Sequence, residues 1–291
     1  GRERMVETTT IVEGLSFGEG PRWHDGALWI SDMHSQKVLK IEISEREKGT
    51  GARGKEERNG GMSARVTTVV SVPQCPSGLG WLRDNTMLVV SMLDRRVLRY
   101  DPVKGTLNEH SDLSSLASFH CNDMVVDKRG RAYVGNFGFN LHSIWLKPLL
   151  LLYLLTGWPK PKSAELICVE PCGKARVVAT GLTFPNGTVI TPDGGTLIVA
   201  ETFAGQLTAF DVSQESGSLS NRRIWAKLPS GALPDGMCLD EDGGIWVASI
   251  TTGECLRLVE GADGVNGITN RVKPTQIPYA CMLGGKDGKT L

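Results

Sequence analysis

No charge of either sign dominates this chain of 291 residues: 32 lysines and arginines face 32 aspartates and glutamates. A balance of that kind excludes nucleic acid or an anionic membrane surface as the main partner and favours a small neutral or modestly polar ligand. Cys-x-x-Cys spacing is absent, and the seven cysteines are odd in number, so zinc-finger and disulfide frameworks are not expected. Cys168 and Cys172 are the closest pair and read as packed thiols at a strand end. The opening GRERMVETTT has charge but no apolar core behind it, so a secretory leader is missing from what is shown, and a cytoplasmic location is expected. The strongest apolar run, Leu149 to Leu155, falls well short of the roughly 17 to 25 residues that span a bilayer.

Glycine is abundant instead, at 35 residues, and apolar stretches are short and bounded by Gly, Pro, Asp and Asn. These boundaries recur. GEGPRWHDGALWISD (18–32), CPSGLGWLRDNTMLVVS (75–91), CNDMVVDKRGRAYVGN (121–136), FPNGTVITPDGGTLIVAET (184–202), LPDGMCLDEDGGIWVAS (233–249) and PYACMLGGKDGKTL (278–291) share one plan. Each begins with a Pro/Gly/Asn/Asp approach, followed by a short apolar run, a tight turn and a second β-rich run. Equivalent positions at 20, 78, 122, 186, 235 and 280 are separated by 58, 44, 64, 49 and 45 residues, a spacing that means propeller blades. Further strand-like runs lie between the units, KVLKIEI with ARVTTVV, RVLRYD, ELICVE with ARVVATG, and QLTAFDV with NRRIWAKL. Four strands per unit and six units predict an all-β, six-bladed β-propeller with four-stranded blades, a single domain over 1–291. The last blade reads as truncated after Leu291, with a strand near Glu7 to Glu13 expected to supply its outer edge.

In a propeller the approach loop of every inner strand reaches one mouth of the central channel. Glu19, Ser77, Asn122, Asn186, Asp235 and Tyr279 occupy that position in the six units. Four of them are carboxylates or carboxamides, an all-oxygen set suited to a hard divalent cation rather than to thiolate-bound zinc. Two buried negative charges would also be costly without a cation. Singly, Asn-Gly and Asp-Gly read as turn dipeptides; it is the agreement in phase that points to a ligand set, and Glu19 is not a turn residue.

EGPRW, the CND of 121–123, PNG at 185–187, PDGMCLDEDGGIWVA at 234–248 and the terminal CMLGGKDGKTL resemble the senescence marker protein (regucalcin)/gluconolactonase-like lactonases, in order and over nearly the whole chain. The resemblance implies a six-bladed propeller with one catalytic divalent metal at the channel mouth. Calcium is the first expectation, with manganese, magnesium, iron or zinc as alternatives. It implies Glu19, Asn186 and Asp235 as metal ligands, Asn122 at the metal or the substrate, and Asp123 behind it. His120 departs from the family, many members of which carry arginine there to hold a sugar lactone. With histidine, a less polar lactone gains weight; a loop-bonding histidine is the equal alternative.

The activity implied is hydrolysis of a lactone, a cyclic ester. The metal would polarise the carbonyl and activate water, and Asp235 would be the general base. Asn122, His120, Asp123, Tyr279 and Trp145 are the expected substrate contacts. A phosphotriesterase-like hydrolase, or a non-catalytic propeller binding calcium or a partner, are the rival readings. Two insertions interrupt the repeat. The charged 44–63 joins the third and fourth strands of blade one, away from the mouth. The apolar 140–163 joins the second and third strands of blade three and is expected to overhang the metal. Its core, 144–158, reads first as a lid, then as a homo-oligomer contact or a membrane-surface anchor. Trp145, Tyr153 and Trp158 either line a pocket there or simply pack.

Overall fold

A computed structural model describes residues 8–45, 62–140 and 162–291. Its unit of construction is the tight hairpin. At Asp25 and Gly26 the backbone takes φ of 47° and 72°, the left-handed pair whose twist matches that of the flanking strands. The turn joins β1 (Gly18–His24) to β2 (Ala27–Asp32), with His24 opposite Ala27. Later hairpins use an aspartate to bind their own turn: Asp127 Oδ1 accepts from the N–H groups of Arg129 (2.8 Å) and Arg131 (2.9 Å), and Asp240 Oδ1 from those of Asp242 (3.1 Å) and Gly244 (2.8 Å).

Five four-stranded antiparallel sheets follow in chain order. Blade one completes β1 and β2 with β3 (Lys37–Glu45) and β4 (Met62–Ser71). Blade two holds β5 (Pro76–Trp81), β6 (Met87–Ser91), β7 (Arg96–Asp101) and β8 (Thr106–Asp112). Blade three holds β9 (Cys121–Val126), β10 (Ala132–Asn136), β11 (Ala164–Val169) and β12 (Ala175–Leu182). Blade four holds β13 (Pro185–Ile190), β14 (Thr196–Glu201), β15 (Gln206–Val212) and β16 (Leu219–Lys227). Blade five holds β17 (Pro234–Leu239), β18 (Ile245–Ser249), β19 (Glu254–Leu258) and β20 (Ile268–Val272). Residues 46–61 connect β3 to β4 and residues 137–163 connect β10 to β11. The expectations for the two insertions, including the lid, oligomer and membrane-surface readings of 144–158, fall on residues outside the described ones.

The core lies between blades. Leu88, Val97, Met124, Val134 and Ile167 pack together across blades two and three, and Leu207, Met237, Val247 and Leu256 across blades four and five. Near the axis the inner strands approach too closely for side chains. A Cβ on Gly78 would stand 2.3 Å from the Met124 nitrogen, and one on Gly187 2.5 Å from the Asp235 carbonyl oxygen. Only glycine allows such contact.

Among the described residues the expected sixth blade is not a sheet, and the propeller shows five four-stranded blades instead of six. Residues 278–291 form only an isolated bridge between Gly284 and Thr290, and residues 8–15 form no strand. Pro274 and Pro278 interrupt the backbone donors of this stretch, and an edge strand near residue 13 has no sheet to join. The stretch still occupies the sixth position. The Gly236 N–H donates to the Tyr279 carbonyl (2.8 Å), a Cβ on Gly236 would meet that of Ala280 at 2.4 Å, and one on Gly284 would meet the Trp23 ring at 2.4 Å. An extended segment thus joins blade five to blade one. Among the described residues no helix is long and apolar enough to cross a membrane.

Candidate active site

A repeated irregularity turns the site residues towards the axis. Pairing slips between Glu19 and Arg22 in β1, Pro76 and Leu79 in β5, Pro185 and Thr188 in β13, and Pro234 and Met237 in β17. Ser77, Asn186 and Asp235 sit inside these bulges and Glu19 opens the first. A bulge bends the strand and re-aims a side chain, so the phase read from the sequence becomes convergence in space.

The polar residues that converge are bound to one another. Ser77 Oγ donates to Asn122 Oδ1 (3.3 Å), Asn122 Nδ2 to Asn186 Oδ1 (3.0 Å), Asn186 Nδ2 to Thr202 Oγ1 (3.3 Å), and Thr202 Oγ1 to the Pro234 carbonyl (2.8 Å). This relay runs through blades two, three and four to the start of blade five. Asn122, Asn186 and Asp235 are only 8%, 6% and 7% exposed, so the relay fixes both amides where water does not compete. Each amide oxygen still has acceptor capacity to spare, because a carbonyl carries two lone pairs.

The acids differ in how they are compensated. Arg22 Nη2 donates to Asp123 Oδ1 (2.8 Å), which also accepts from the Met124 N–H (2.8 Å), and the same guanidinium bonds the Met124 carbonyl. Among the described residues neither Glu19 nor Asp235 joins a salt bridge. Burial, and then the charges of Asp235 and Asp123, push the half-buried Glu19 carboxyl well above the ordinary range. Burial and the charge of Asp123 raise Asp235 to about 7, against hydrogen bonds from Asn186 and the Gly236 N–H.

Two under-compensated carboxyls, one buried and one half-buried, beside two fixed amide oxygens fit a hard divalent cation. Among the described residues no three His, Cys, Asp or Glu side chains form a metal-holding group, so any such site must use the amides. The sign of the effect on stability follows. Both carboxyls titrate higher in the folded chain than in the unfolded one, so their own contribution to stability is fully present below the ordinary carboxylate range and is lost as pH rises through the raised values. In a chelator, the melting midpoint is expected to fall by several degrees between about pH 5 and about pH 8, with added calcium flattening the decline. A midpoint that instead rises over this window in the chelator would contradict the assigned shifts.

The remaining predicted contacts are scattered around this centre. His120, half-buried, packs on Phe119 with ring centroids 4.1 Å apart and planes tilted by 31°. Tyr279 is 38% exposed and packs on Phe17 at 4.7 Å. Trp145 lies outside the described residues. Sequence reasoning gave no role to Arg22 or Thr202, and it passed over the phenylalanines. Of seven in the chain, Phe17, Phe119, Phe137, Phe139, Phe184 and Phe203 precede an inner strand or follow a second one, on the mouth side, and only Phe210 lies within a strand. That distribution was available from the repeat alone.

A sequence profile described as the SMP-30/Gluconolactonase/LRE-like region matches residues 17–291. Regucalcin of Danio rerio is 24% identical over 291 aligned residues, covering 95% of this chain and 82% of that protein. Pentonolactonase XacC of Haloferax volcanii is 25% identical over 287, covering 97% and 82%. Among solved structures, a calcium-binding protein, regucalcin, from Agrobacterium tumefaciens superposes with a TM-score of 0.66 at 19% identity, covering 98% of this chain and 83% of that one.

Proposed function

The chain belongs to the SMP-30/gluconolactonase/LRE-like family, and from that premise we propose that it hydrolyses a lactone to the hydroxy acid with the help of one divalent cation. The observation that carries the reading is a pair of carboxyls, the half-buried Glu19 and the buried Asp235, that join no salt bridge among the described residues, Asp235 taking a hydrogen bond from Asn186 and acting with its charge on Glu19, beside the linked amides of Asn186 and Asn122. Glu19, Asn186 and Asp235 would hold the ion, with Asn122 beside it. Calcium comes first for an oxygen donor set, and manganese, magnesium, iron and zinc follow. When bound, the ion supplies Lewis acidity to the lactone carbonyl and acidifies a coordinated water.

Hydrolysis forms a bond from water oxygen to the carbonyl carbon, breaks the ring carbon–oxygen bond, and moves one proton. Asp235 accepts that proton from the attacking water and returns it to the departing alkoxide oxygen. The relay from Ser77 to Pro234 holds the amides still during these steps. Arg22 holds Asp123 in place, beside both neighbouring acids, on which its charge acts.

Purified protein stripped with a chelator and reloaded with each ion should be assayed on γ- and δ-lactones, aryl esters and organophosphate triesters. Lactone hydrolysis that disappears in the chelator and returns with calcium is expected. No turnover with any ion would remove the enzyme reading, and triesters cleaved faster than lactones would replace it with a phosphotriesterase.

A further inference from the structure

The polar centre has a continuous aromatic margin on the side of blades three and four. Phe137 and Phe184 stack with centroids 4.7 Å apart and planes 13° from parallel. Phe203 meets Phe184 edge-on at 5.2 Å, and Phe139 lies 5.8 Å from Phe184 and 6.0 Å from Phe203. His120 prolongs the row, 6.4 Å from Phe137. Two of these rings, His120 and Phe184, stand on the approaches to β9 and β13, which carry the amides, and the Phe137 N–H donates to the His120 carbonyl (2.9 Å). His120 is two residues before Asn122, Phe184 is two before Asn186, and Phe203 follows Thr202 of the relay. Phe184 keeps φ at 57°, in a region that non-glycine residues seldom adopt, and its ring is buried at 6% exposure. The surrounding loop therefore over-determines its position. Phe137, Phe139 and Phe203 stay half-buried, so the row has a buried base and an accessible face.

Phenylalanine offers no hydrogen-bonding atom. A polyhydroxylated lactone laid on this face would lose water from its hydroxyls and find no partner, whereas an alkyl or aryl group would gain from burial and ring contact. We propose that the substrate is an apolar lactone bearing an alkyl or aryl substituent, and that this substituent lies on Phe137, Phe139 and Phe203 with Phe184 behind them. The assignment rests on the lactonase reading of the neighbouring polar centre.

The test uses two readouts on the same calcium-loaded protein. Binding of non-hydrolysable cyclopentanones carrying alkyl chains of increasing length is measured by titration calorimetry. Hydrolysis is measured on alkyl γ-lactones of matching lengths and on a gluconic acid lactone. The expected result is affinity and kcat/KM rising about fourfold per methylene over the first few carbons, with the gluconic acid lactone a poor substrate. Phe137→Ala and Phe203→Ala, each checked for an unchanged fold by circular dichroism, should reduce the ratio of long-chain to short-chain affinity by about tenfold or more. Affinity independent of chain length in the unaltered protein, or a preference for the gluconic acid lactone, overturns the proposal without touching the lactonase reading. Chain-length-dependent binding with no hydrolysis of any lactone upholds the aromatic face and removes the lactonase reading instead.

Discussion

Glu19→Gln is expected to abolish productive cation binding while leaving the fold intact. The carboxyl stands near the start of β1, at the opening of the backbone slip, and accepts from the neighbouring Gly20 N–H (3.1 Å). Partners that merely orient a metal ligand already cost 10- to 100-fold in affinity when removed, so loss of a ligand should cost at least about 100-fold. The substitution keeps the shape and removes one of three neighbouring charges. In a chelator at neutral pH the variant should therefore melt at or above the unaltered protein, because repulsion from Asp235 and Asp123 is relieved. With calcium the order should reverse. Calorimetric titration and paired melting curves check both halves; calcium binding of undiminished tightness would show that Glu19 is not a ligand.

Asp235→Asn should lower kcat on lactones by about 10² to 10⁴ at saturating cation, the range for removing a general base. Working at saturation separates the two roles assigned to this side chain, since weaker binding of the ion then no longer limits the rate. A variant that holds the cation and turns over at the full rate would leave Asp235 a ligand alone, with water activated by the ion. The neighbouring Asn186 and the Gly236 N–H hold the native carboxylate in place, and an amide of the same size should disturb neither.

Much of the blade plan is legible in the sequence. The turns RDN, DKRG, PDGG and EDGG fall between the first two strands of blades two to five, KVLKIEI, RVLRYD and QLTAFDV lie within or coincide with third strands, and ELICVE overruns its third strand by one residue. Turn chemistry and apolar alternation are local properties, so they survive in a linear reading. Outer strands gave less signal. β8, TLNEHSD, has most of its side chains exposed and alternates poorly, because it has a neighbour on one edge only. The count of blades failed for another reason: PYACMLGG repeats the local pattern of an inner strand, but a sheet also needs partners, which no single segment encodes. Among the site residues, the phase of Glu19, Asn122, Asn186 and Asp235 could be read from the repeat. The commitment of Arg22 to Asp123 could not, since it joins residues 101 positions apart.

The extended stretch at 278–284 has a consequence for how tightly the ion would be held. Glu19 lies near the start of blade one and Asp235 near the start of blade five, so these two acids stand on either side of a join at which, among the described residues, no sheet is formed. A cation held by both would act as a clasp on that seam. Part of its binding energy would go into keeping the ring shut, and loosening the seam anywhere along Tyr279 to Gly284 would weaken the clasp from a distance.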